Sequence, residues 1–96
     1  MPEDEIIPVE TFCSYYQVER SFIEMLETHG LISISYKESK GFILKEEVVE
    51  LEKYSRMYYE LNINVEGIDA LNHLLEKIKL LQKETASLKA RLRIYE

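Results

Sequence analysis

In the last third of the chain, apolar residues recur in alternating steps of three and four. Leu71, Leu74, Ile78, Leu81, Thr85, Leu88, Leu92 and Tyr95 keep the rhythm without a break. Read as heptads, Leu71, Ile78, Thr85 and Leu92 take position a, and Leu74, Leu81, Leu88 and Tyr95 take d. An a/d repeat with charged flanks predicts a coiled coil. A helix from Asn64, the best capping residue before it, to Tyr95 would run about 48 Å at about 1.5 Å per residue. That is too long for one edge of a small domain. Its outer half is therefore expected to pack on another chain, with folding back over its own domain as the alternative.

Upstream the pattern changes several times. Pro8 to Tyr16 reads as a short helix, with Val9, Phe12, Cys13 and Tyr16 at helical spacing. "YQV" turns the chain. Glu19 to His29 reads as a second helix with Phe22, Ile23 and Leu26 on one face, stopped by Gly30. "LISISY" alternates as a strand does, with Ile32 and Ile34 inward, "KESKG" turns, and "FIL" returns as the second arm of a hairpin. Lys45 to Leu61 predicts a third helix with Val48, Leu51, Tyr54, Tyr58 and Leu61 as its buried stripe and Glu46 and Glu47 near its N-terminus. The expected organisation is a compact unit over residues 1–62, followed by the long helix over 63–96.

Composition narrows this little: 96 residues, 46% hydrophobic and 31% charged, suit one small folded domain that would gain from association. Charge narrows it more. The net value is −6, but residues 1–44 hold eight acids and three bases, 45–68 hold six and three, and 69–96 hold four and six. The part that reads as a nucleic-acid reader is thus the acidic part, at −5, whereas DNA affinity comes largely from Lys and Arg on phosphates. No window approaches the roughly 18 to 20 apolar residues of a membrane helix. The start "MPEDEIIPVE" is acidic where a signal peptide is basic, so the expected compartment is the cytoplasm.

Chemistry-bearing residues are few. Cys13 lies beside Phe12 on a helix with no base in reach of sequence reasoning, so it reads as structural. His29 stands where it can interact with a helix C-terminus, and His73 falls on an outward coil position. No zinc spacing, phosphate loop or catalytic pair occurs, so neither enzyme activity nor a cofactor is expected.

The order helix, turn, helix, two-stranded wing, helix and coil resembles the MerR superfamily. "QVERSFIEMLETHGLI" is similar to that family's second helix, which usually ends in Arg-Tyr-Tyr, a few residues, and Gly-Leu-Leu. Gly30-Leu31-Ile32 keeps the ending, while Glu24, Met25 and Leu26 stand at the Arg-Tyr-Tyr positions. The wing of DNA-binding members usually carries Gly-Tyr-Arg, and "GFIL" here has no Arg. The implied fold is mainly α: a winged helix-turn-helix of MerR type with a small β-hairpin wing and a long C-terminal coiled-coil helix.

A narrower resemblance, over "MYYELNINVEGIDALNHLLEKI", is to the chaperone-modulator branch, the CbpM family, whose members carry a stretch of the type "LGINLAGVALALDLLDEI". Asn62 to Ile68 carry the likeness. It implies binding to the J-domain of a DnaJ-like, CbpA-type co-chaperone and inhibition of that partner's stimulation of a DnaK-type chaperone. A J-domain presents a basic helix, so an acidic second helix would complement it. The implied contact residues are Glu19, Arg20, Glu24 and Glu27. Tyr15 and Tyr36 join them as exposed aromatics of the kind enriched at hot spots. Each of the glutamates also reads as an ordinary solvated helix position. A homodimer through Leu71, Leu74, Ile78, Leu81, Leu88 and Leu92 is expected. The MerR resemblance implies antiparallel coils, an orientation that the flanking charges do not choose. The competing reading is a MerR-type transcriptional regulator that binds DNA, against which the charge argues.

Overall fold

A computed structural model of the chain describes residues 5–95. The first four residues of the acidic start, and Glu96 at the end of the coil pattern, lie outside that range. The order is β1 (Ile6–Pro8), α1 (Val9–Tyr16), α2 (Arg20–Thr28), β2 (Ile34–Lys37), β3 (Lys40–Leu44), α3 (Val48–Ser55) and α4 (Val65–Tyr95). The fold is a winged helix-turn-helix with a long C-terminal helix. Among the described residues no helix is long and apolar enough to cross a membrane.

The two short helices pack through the faces their spacing predicts. Val9 and Phe12 from α1 meet Phe22, Ile23 and Leu26 from α2 in one core with Ile32, Ile43, Leu51 and Tyr54. Gln17 closes α1 in a left-handed conformation, φ 55°, and so makes the turn into α2. Gly30, φ 72°, bends the chain away after α2 without strain on a side chain. Because the bend runs on through Leu31 and Ile32, the strand begins at Ile34, later than "LISISY" predicts. Ile32 is buried in the bend itself, and the Ser33 N–H donates to the Glu47 carboxylate.

The wing has a strand that the alternation does not reveal. β1 pairs antiparallel with β3, Ile6 opposite Leu44, so the sheet order is β1-β3-β2. Three residues ending in Pro8 are too few to show a period of two, and Pro is tolerated because β1 is an edge strand. β2 and β3 join through Glu38 and Ser39, both at positive φ, with Lys37 opposite Lys40.

The third helix departs from its predicted stripe. Lys45–Glu47 form a 3-10 turn, Val48–Ser55 an α-helix, and Arg56–Glu60 a π-helical turn. Leu51 and Tyr54 are buried and Val48 and Tyr58 partly so, but Leu61 is 66% exposed. The i→i+5 bond from the Leu61 N–H to the Arg56 carbonyl spends an extra residue on the turn. That rotates the stripe, bringing Met57 and Tyr58 toward the core and turning Leu61 away.

Asn64 caps α4 as the sequence indicates, its Oδ1 accepting from the Gly67 N–H at 2.8 Å. The first turn of α4 belongs to the core, since Val65 and Ile68 are buried there. Beyond it the helix leaves the head and does not fold back, giving a molecule 60 Å long. Replacing Asn64→Ala is expected to cost about 1 kcal/mol of stability. Gly67→Ala would ordinarily gain about 1 kcal/mol inside a helix. Here the added Cβ would sit 2.9 Å from both Asn64 Oδ1 and Ile63 Cγ2, so the cap must move. Thermal melting of the two variants is expected to show a fall for the first and no rise for the second.

Candidate functional site

The outward face of α2 is built from positions one and two turns apart. Arg20, Glu24 and Glu27 follow i, i+4 and i+7 while Phe22, Ile23 and Leu26 face the core. Arg20 Nε donates to Glu24 Oε1 at 3.2 Å, and its NH1 reaches Glu10 Oε1 on α1 at 3.7 Å. Tyr36, from β2 of the wing, donates its hydroxyl to Glu27 Oε1 at 3.1 Å. That bond and the Glu27 charge push the Tyr36 phenol up from its ordinary value. Glu19 sits at the N-cap without capping through its side chain. Instead its N–H donates to the Tyr59 hydroxyl at 3.0 Å, and its carboxylate accepts from Ser21 at 3.3 Å.

The fold thus brings Arg20, Glu24, Glu27 and Tyr36 into one patch and puts Glu19 at its near end. Four carboxylates, counting Glu10, stand on this surface with one guanidinium, a net of −3, and two of them, Glu10 and Glu24, pair with it. Glu10 escapes sequence reasoning because its partner is on another helix, ten positions away. Tyr15 stands apart from the hydrogen-bonded patch. It is 79% exposed on α1, with its ring edge-on to Tyr16 at 5.0 Å. The ion pairs are solvent-exposed and so worth little to stability.

The second surface is the length of α4. Leu71, Leu74, Ile78, Leu81, Leu88 and Leu92 are all exposed in the single chain and lie along one stripe. Ile94 and Leu80 add exposed apolar area off that stripe. A row this long without a partner is unusual on a soluble monomer.

Features that would point to chemistry are weak. Burial pushes the Cys13 thiol up, outweighing the nearby Arg20 guanidinium, so the thiol is not an activated nucleophile. A groove of about 400 Å³ beside the helix-helix turn is lined by Tyr16, Gln17, Glu52, Arg56 and Tyr59. Its Tyr16 hydroxyl is already given to Glu52, whose acceptance of the bond raises the phenol above its ordinary range. Among the described residues, no three His, Cys, Asp or Glu side chains converge so as to hold a metal ion.

The family model described as "MerR HTH family regulatory protein" matches residues 7–90. No match was found among curated proteins or among solved structures.

Proposed function

From the premise that the chain belongs to the MerR HTH family of regulatory proteins, we propose that it is a chaperone modulator. In this reading it binds the J-domain of a DnaJ-like co-chaperone and blocks that partner's stimulation of a DnaK-type chaperone. It is a binding protein and not an enzyme, and it works as a homodimer joined through α4. The observation that carries the reading is the charge of the reading helix. Where a DNA-binding relative needs cations, α2 presents Glu24 and Glu27 with Glu10 and Glu19 around them, and its one cation, Arg20, is held by Glu24 and Glu10. A basic protein helix complements such a face, and charge complementarity would set its approach rate and specificity. The "NINVEG" segment supports the same branch through its resemblance to CbpM-type proteins.

A MerR-type DNA-binding regulator is the second reading, favoured by the family and by the winged helix-turn-helix itself. The two separate in one experiment. The chain, immobilised and exposed to its native cytoplasm, is expected to retain a DnaJ-like protein. It is expected to show no specific duplex binding at physiological salt. Sub-micromolar duplex affinity with a salt slope of several phosphate contacts would favour the regulator instead.

A further inference from the structure

The groove of about 400 Å³ at the N-terminal end of α2 contains a cation that no carboxylate has taken. Arg56 is exposed and lines it together with Tyr16, Gln17, Glu52, Tyr59 and Glu60. Helical spacing offers this guanidinium two partners, Glu52 four positions before it and Glu60 four positions after. Glu52 instead accepts the Tyr16 hydroxyl from α1. Among the described residues, Arg56 comes within ion-pair distance of no carboxylate. Further donors stand beside it. The Tyr59 hydroxyl accepts from the Glu19 N–H at 3.0 Å and keeps its own proton to give, and Gln17 adds a side-chain amide. The aromatic walls are held from behind. Tyr16 stacks on Phe12 at 4.4 Å, and Tyr59 stands edge-on to Phe22 at 5.4 Å. Both phenylalanines are buried, so the walls need little ordering when something enters.

We propose that this groove seats a carboxylate carried by the protein partner, with Arg56 as the residue that selects it. The inference rests on the reading of the chain as a J-domain binder, and adds that the partner's basic helix has an acidic side chain beside it. A guanidinium presents a planar fork of donors that matches a carboxylate through two parallel bonds. A phosphate dianion suits the groove less, because Glu52 and Glu60 line it too. The groove also adjoins the acidic patch, since Glu19, at the near end of that patch, is tied through its N–H to Tyr59. A helix lying along α2 therefore brings its neighbouring side chains to Arg56.

The surface is thus a row of acids on α2 ending in one unpaired cation, and its complement is a row of bases ending in one acid. A basic helix without that acid would set its own cations against Arg56, and like charges held together discriminate against such a partner. Net charge alone gives the opposite expectation. The head is acidic and the partner helix basic, so removing any cation from the head should strengthen the attraction. A residue that seats a carboxylate does the reverse, and the sign of the effect separates the two.

The test is calorimetric titration of the full chain with an isolated J-domain from a DnaJ-like co-chaperone, for the wild type, Arg56→Gln, Arg56→Lys and Lys40→Gln. Arg56→Gln is expected to weaken binding about 10- to 100-fold, the range of a charge-assisted hydrogen-bonded pair. Arg56→Lys keeps the charge and loses the fork, and is expected to fall between that variant and the wild type. Lys40→Gln removes a cation from the wing, outside the groove, and is expected to leave the affinity unchanged or to raise it. Binding by Arg56→Gln as tight as that of the wild type, or tighter, would overturn the seat, as would equal weakening by Lys40→Gln. If Arg56→Gln does not fold by circular dichroism, Arg56→Lys decides by the same comparison. A wild type that binds no J-domain gives a different result from any of these, and overturns the J-domain reading and the seat with it.

Discussion

A chain carrying Leu81→Glu with Leu88→Glu is expected to scatter light as a monomer with its head still folded. Leu81 is 60% exposed and Leu88 58% exposed in the single chain, so neither supports the core around Phe22 and Leu51. In the homodimer proposed above, both would be covered by the partner's helix. Burying a leucine contributes about 1.5–3 kcal/mol, and a dimer would lose four of them and gain four carboxylates to desolvate. That sum weakens association on the order of 10⁴-fold or more. Circular dichroism is expected to keep its helical signal from the head, with fraying along α4, because an isolated helix without tertiary packing is marginal. If the double variant still scatters as a dimer, the stripe of α4 is not the interface. Thr85 interrupts the row of apolar a positions and returns its hydroxyl to the Leu81 carbonyl, so the stripe is least apolar between those two replaced leucines.

The second large effect belongs to the acidic face. Glu24→Lys with Glu27→Lys is expected to weaken J-domain binding roughly 10- to 100-fold, taking each exposed ion pair as up to about 1 kcal/mol and a reversal as about twice a removal. Neither carboxylate lies in the core, so the dichroism spectrum and melting curve are expected to stay close to those of the parent. The double change also frees Arg20 from Glu24 and the Tyr36 hydroxyl from Glu27, which loosens the wing against α2. Binding is therefore expected to lose much of its salt dependence as well as its strength. Affinity unchanged by calorimetry, on a variant shown to be folded, would move the contact surface away from α2.

Much of the fold was legible because hydrophobic periodicity is a local signal. Phe22, Ile23 and Leu26 mark the inner face of α2, Asn64 marks the start of α4, and the leucine row marks its outward stripe. The features that escaped depend on contacts between distant positions or on one residue of register. β1 exists because β3 offers Ile6–Pro8 an edge, which nothing in the tripeptide announces. Leu61 satisfies an α-helical spacing, yet the π turn at Arg56–Glu60 carries it into solvent. The candidate site divides in the same way. That α2 is acidic can be read from Glu19, Glu24 and Glu27 alone. That Glu10 shares Arg20, that Tyr36 reaches across from the wing, and that Tyr16 on α1 engages Glu52 on α3 are facts of packing between elements.

All of these surfaces bear on one claim, that a DNA-reading framework has been recharged to hold a basic protein helix. The direct measurement is a calorimetric titration of the wild-type chain with an isolated J-domain from a DnaJ-like co-chaperone, repeated at rising salt, beside a titration with duplex DNA. Saturable J-domain binding that weakens as salt screens the acidic face is expected, with no specific heat from the duplex. Absence of J-domain binding at tens of micromolar, with saturable binding to the duplex, would contradict it.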